Sequence, residues 1–179
     1  MSTSGPMTVT IDEYSLAALP IEMYFNTTFL SIGTAFVWKS EGRLYLITNW
    51  HNVSGKDPNT GKHISKTATE PNNLKVGFNQ KGNMGHRVAK TIRIRDQNDA
   101  PVWFVHPQHG NKVDVVALPF DPMPDVDEYA INGMSSNALA VNVGIAALAK
   151  WGLQSLRRCD RVRKSTLGSE DSRLGRVQF

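Results

Sequence analysis

His51 and Asp114 are the side chains whose type and setting best suit proton transfer. An imidazole takes up and gives back a proton near neutral pH. His51 ends the run Leu44-Tyr45-Leu46-Ile47-Thr48-Asn49-Trp50-His51, an apolar stretch that finishes in Thr-x-x-His. Asp114 comes 63 residues later, inside Val113-Asp114-Val115-Val116-Ala117-Leu118. A charged carboxylate among valines is costly without a partner. A serine hydroxyl is a poor nucleophile until an imidazole can accept its proton. The imidazole in turn needs a carboxylate on its other nitrogen to fix the tautomer and stabilise the imidazolium. Taken singly, each residue has a plainer reading. A His after a strand is commonly a packing or surface residue, and Asp114 could pair with Lys112 or cap a strand end.

Other groups carry less. His106-Pro107-Gln108-His109 offers two imidazoles, and His63 and His86 lie in polar stretches. Pro107 and Gly110 make the first of these a turn, and no metal is expected there. Cys159 is the single cysteine, so it can form neither an intramolecular disulfide nor a thiolate zinc site. Gly82-Asn83-Met84-Gly85 lacks the strand-to-helix setting of a phosphate loop, and no cofactor is expected.

The elements around these residues read as β. Leu16 to Tyr24 is apolar around Pro20, which interrupts any long helix. Phe29-Leu30-Ser31-Ile32-Gly33-Thr34-Ala35-Phe36-Val37-Trp38 is rich in β-branched and aromatic residues. Ser40-Glu41-Gly42 signals a turn, and Arg43 to Thr48 is apolar on both faces, as a strand covered on both sides would be. The pair predicts a hairpin. Asn52 to Asn73 is a long polar loop, a length often tied to function. Short strands are expected at 74–78, 86–95, 102–105 and 113–118. In the second of these, Val88, Ile92 and Ile94 alternate with Arg87, Thr91, Arg93 and Arg95. Six short strands with turns between them predict an all-β sandwich or barrel.

With these pieces in place, the chain resembles the trypsin-like serine peptidases of the chymotrypsin fold. Gly33-Thr34-Ala35-Phe36 matches the small-residue strand ahead of that family's histidine. Leu46-Ile47-Thr48-Asn49-Trp50-His51 matches the segment bearing its general base. Asp114 in Val113-Asp114-Val115-Val116-Ala117-Leu118 matches its orienting acid. The wording around His51 is closest to the bacterial branch without disulfides, and the match covers about residues 27–120. The resemblance implies a six-stranded antiparallel barrel, the first of two. It implies His51 and Asp114 as catalytic residues, and a polypeptide as substrate once a second barrel is present.

The family's nucleophile sits in Gly-x-Ser-Gly, and no such segment occurs in these 179 residues. Gly133-Met134-Ser135-Ser136 follows Asp114 too closely, and Gly168-Ser169-Glu170-Asp171-Ser172 has no Gly after either serine. From Ile145 the character changes. Ile145, Leu148, Leu153 and Leu156 fall on helical spacing, and beyond Arg157 the periodicity is lost. The last thirty residues hold eight Lys and Arg against three Asp and Glu, within an overall net charge of +4. This division predicts an N-terminal segment (1–28), a first barrel (29–120), a linker with the start of an incomplete second barrel (121–144) and an atypical basic tail (145–179), partly helical or disordered. A shifted reading frame would produce such a change. The expectation is therefore a truncated or frame-shifted trypsin-like serine endopeptidase, inactive as it stands.

The alternative is a non-catalytic β-barrel binding module whose basic tail contacts a protein or nucleic acid. The tail lacks aromatic residues apart from Trp151 and the terminal Phe179, so nucleic acid is not the expected partner. Self-association through exposed apolar surface is expected instead. With 40% hydrophobic and 20% charged residues and no long apolar run, the composition is that of a globular domain with no expected membrane contact. A start without a basic and then apolar stretch, together with the lone cysteine, predicts a cytoplasmic location.

Overall fold

The structure is a computed structural model and describes residues 13–133. Residues 134–144 of the expected linker and incomplete second barrel, the helix from Ile145, the basic tail, Ser135, Ser169 and Cys159 lie outside the described residues.

Helix α1 (Glu13–Ala17) leads into strands β1 (Leu19–Phe25), β2 (Thr28–Ser40) and β3 (Arg43–Thr48). Helix α2 (Trp50–Ser54) follows, then β4 (Asn73–Gln80), β5 (Arg87–Arg93), β6 (Val116–Phe120) and β7 (Val126–Asp127). A single 3-10 turn spans Ile131–Gly133. All seven strands belong to one sheet in the order β5-β4-β1-β2-β3-β6, with β7 paired to β4. Every ladder is antiparallel. The chain among the described residues is therefore mostly antiparallel β, as the strand pattern predicts.

The β2–β3 hairpin turns on Glu41 and Gly42 alone, since Ser40 pairs with Arg43. Both turn residues have positive φ, 50° and 79°. That is the hand of a type I′ turn, whose twist matches the strands it joins. Beyond the turn, Leu44, Tyr45 and Leu46 are all buried. Leu44 and Leu46 join the main core with Leu19, Ile21, Val37, Leu74, Val76, Phe78 and Leu118. Tyr45 packs on the opposite face with Trp38, Ala117 and Ile131. β3 is thus covered on both faces, the reason its sequence does not alternate.

Several strands differ from the expected layout. The sheet starts at Leu19 rather than at Phe29, because β1 lies between β4 and β2. Pro20 does not exclude it. Pro20 pairs with Thr34 of β2, and the ladder to β4 begins only at Ile21↔Val76. At the strand's edge a missing N–H costs no bond. A Cβ on Gly77 would meet the Pro20 ring at 3.0 Å, so the glycine makes room for it.

The stretch 102–105 is not a ladder strand. Its one strand-like link to β6 is the bridge Phe104↔Ala117. The last expected strand begins at Val116, not Val113, so Asp114 precedes it. Val115 N–H bonds back to Val113 C=O at 2.8 Å, and that tight turn takes Asp114 out of the strand.

The sheet is not closed into a barrel. β5 and β6 stand at the two ends of the strand order and do not pair with each other. Residues 101–104 make two isolated bridges, Pro101 to Arg95, two residues past the end of β5, and Phe104 to Ala117 of β6. No helix among the described residues is long and apolar enough to cross a membrane.

Candidate active site

His51 reaches its place through β3 and the short α2. The β3–β6 ladder ends at Thr48↔Val116, so the residues after Thr48 run beside those before Val116. That register brings His51 and Asp114 together. The His51 Nδ1 lies 2.7 Å from Asp114 Oδ2. The His51 backbone N–H donates to Asp114 Oδ1 at 3.0 Å. Asn49 Nδ2 donates to Asp114 Oδ2 at 3.1 Å and to the Asp114 carbonyl at 3.0 Å. A carboxylate accepts only, so the ring nitrogen facing it carries the proton and Nε2 is left as the acceptor. The two side chains are 37% and 30% exposed, which leaves the pair open to solvent on one side.

Behind the pair, α2 is fixed by buried polar contacts. Asn52 Nδ2 donates to Thr48 Oγ1 at 3.0 Å, and Thr48 Oγ1 donates to the Thr34 carbonyl at 2.8 Å. Gly33 lies beneath the Asn52 carboxamide. A Cβ there would stand 2.7 Å from Nδ2. The small-residue strand Gly33-Thr34-Ala35 thus forms the seat on which the histidine's helix rests. Gly55 ends that helix in the left-handed conformation (φ 68°), its N–H bonded to the His51 carbonyl at 3.0 Å.

The loop after α2 has structure of its own. Asp57 Oδ1 accepts from the backbone N–H groups of Asn59 and Thr60 at 2.9 and 2.8 Å and from Thr60 Oγ1 at 3.1 Å. The Thr60 and Asn59 N–H groups hold the Asp57 carboxyl below its ordinary value. Further on, Glu70 meets Lys56 Nζ and Arg95 Nη2, each at 2.5 Å, with His63 Nδ1 at 3.8 Å. Arg95 also donates to the carbonyls of Pro71 and Asp99 and lies over the Trp103 ring at 5.7 Å. These contacts strap the loop to the end of β5.

His106 and His109 stack with ring centroids 4.7 Å apart. His106 Nδ1 accepts the backbone N–H groups of Gln108 and His109 at 3.0 and 3.1 Å. The ring therefore serves the turn as an acceptor. Among the described residues, no group of three His, Cys, Asp and Glu gathers as a metal ion would need. None of the described hydroxyls is hydrogen-bonded to His51.

The sequence reading also missed α2 and the role of Asn49. The signal was present: an Asn at the start and a Gly just past the end are ordinary helix punctuation. Compared with known proteins, the chain matches no family model, no curated protein and no solved structure.

Proposed function

We propose that His51 and Asp114 are the proton-transfer pair of a trypsin-like serine endopeptidase. Asp114 holds the Nδ1–H tautomer and stabilises the imidazolium. His51 takes the proton of an attacking serine hydroxyl at Nε2 and returns it to the leaving amine. A water then repeats the cycle to release the acyl group. The observation that carries this reading is the 2.7 Å contact between Nδ1 and Oδ2 on a ring that is partly open to solvent. The sheet is read here as the first barrel of the chymotrypsin fold. In support, Phe104 bridges to Ala117 on the free edge of β6, and Pro101 bridges to Arg95, two residues past the end of β5.

The nucleophile and the backbone donors for the oxyanion are the parts that these 179 residues do not offer in a Gly-x-Ser-Gly segment. The test is a peptidase assay on this chain and on an extended version that supplies such a segment. The chain alone is expected to show no turnover and no labelling by a fluorophosphonate. The extended version is expected to show both turnover and labelling, and His51→Ala is expected to abolish the turnover. Turnover by the extended version that survives His51→Ala would sink the reading.

A further inference from the structure

We infer that Asn49 is a positioning residue for the His51–Asp114 pair, its carboxamide setting the plane and reach of the Asp114 carboxylate. The residue occupies the N-cap position of α2, with φ −73° and ψ 146°, yet makes no side-chain capping bond. An Asn in that place ordinarily accepts a backbone N–H from the second or third residue of the helix. Here the second residue is His51, and its N–H goes to Asp114 Oδ1 instead, at 3.0 Å. The caps have been exchanged. Asp114 does the capping from a distant part of the chain, and Asn49 is left to hold Asp114.

The way it holds Asp114 is specific. One Nδ2 spans two acceptors of the same residue, Oδ2 at 3.1 Å and the main-chain carbonyl at 3.0 Å. The opposite amide orientation would set an oxygen against a carboxylate and a carbonyl, so the donor assignment follows from the acceptors. Bonding side chain and backbone at once restricts rotation of the carboxylate. Oδ2 then serves the imidazole and the amide together. Without the amide, Oδ2 is free to swing away from Nδ1, and the ring loses the partner that selects its tautomer. This deepens the peptidase reading and takes its catalytic meaning from it, but it can be tested without any turnover.

The experiment is nitrogen-15 NMR of the His51 ring in the 179-residue chain, in unaltered protein and in Asn49→Ser. Serine caps a helix as well as asparagine does, so a role limited to capping would leave the ring unchanged. Its shorter hydroxyl stem does not span the two acceptors. The unaltered ring is expected to show the single Nδ1–H tautomer with a slowly exchanging proton. Asn49→Ser is expected to lose that signature while keeping the β2–β3 cross-strand contacts. A single tautomer retained in Asn49→Ser overturns the proposal.

A second measurement needs no variant and decides the matter if Asn49→Ser does not fold. The Asn49 side-chain amide resonances of the unaltered chain are expected to move in step with the His51 ring as it titrates. Amide resonances that stay fixed overturn the proposal. An extended version that never cleaves peptides, beside a chain whose Asn49 and His51 signals move together, would sink the peptidase reading alone.

Discussion

Gly33 and the Asn52 carboxamide are too close for any side chain to stand between them, since a Cβ on the glycine would be 2.7 Å from Asn52 Nδ2. Asn52 is 4% exposed and bound to Thr48, so it has little room to give way. Gly33→Ala is expected to destabilise the domain by about 1–3 kcal/mol, the usual cost of overpacking. Because the clash needs both residues, Gly33→Ala with Asn52→Ala should cost less than the sum of the two single changes. Denaturant unfolding of the four proteins measures this. Strict additivity would show that the carboxamide is not the obstacle.

Asp114→Asn keeps the shape of the side chain but replaces its acceptor pair with an amide. In an extended, peptide-cleaving version, kcat is expected to fall about 10⁴-fold, as it does when the orienting acid of a Ser-His-Asp triad is neutralised. KM should change far less, because in the proposed reading the residue orients the base and does not hold substrate. Steady-state kinetics reads both. A fall confined to KM would place Asp114 in substrate binding instead.

Glu70 provides a pH dependence whose sign can be worked out. Burial pushes its carboxyl up, but the Lys56 hydrogen bond and the charges of Lys56, Arg95 and His63 outweigh this, and the net direction is below its ordinary value of 4.5. The folded state therefore holds that proton less tightly than the unfolded state. Its contribution is full above pH 4.5 and is lost as pH falls through the lower folded value. Glu70→Gln should be less stable than the unaltered chain at neutral pH, with the gap closing below pH 4.5. Urea midpoints at neutral and strongly acidic pH test it. A gap that stays constant would mean the loop strap contributes nothing through charge.

His106 adds a second acid-sensitive step at higher pH. Burial, and then the charge of His109, holds its imidazole below the ordinary value of 6.5. Protonation would also remove the acceptor that Gln108 and His109 use. The unfolded state takes the proton first, so stability is full above pH 6.5 and falls as pH drops through that value. His106→Asn offers an uncharged acceptor in place of the ring. Its stability should vary less between pH 7.5 and pH 5.5 than that of the unaltered chain, as thermal melts would show. Equal slopes would mean that His106 accommodates its proton without loss.

The hairpin, the doubly covered β3 and the alternation in β5 were legible because each leaves a residue pattern. So was the approach of His51 to Asp114, although the resemblance, and not periodicity, suggested it. Pro20 hid β1, since the glycine that accommodates it is on another strand. Helix α2 spans five residues, too few to show a period. Asp114 read as part of a strand because valines flank it. Its place is decided by bonds to Asn49 and His51, and nothing local to residues 113–118 records those. That the sheet stays open was equally invisible, because it depends on whether β5 and β6, at the two ends of the strand order, pair with each other.

The exchanged cap also bears on when the site comes into being. A helix of five residues cannot sustain itself in water, and this one takes its capping acceptor from a residue 63 positions further along. The segment around His51 therefore has no reason to become helical during synthesis until Asp114 has left the ribosome and β6 has docked on β3. Such long-range pairing is the slow kind. The His51–Asp114 geometry thus arrives late, with the docking of β6. A nascent chain stopped before Asp114 should give an imidazole with no preferred tautomer, and stopped-flow refolding should show ring ordering only in the last phase.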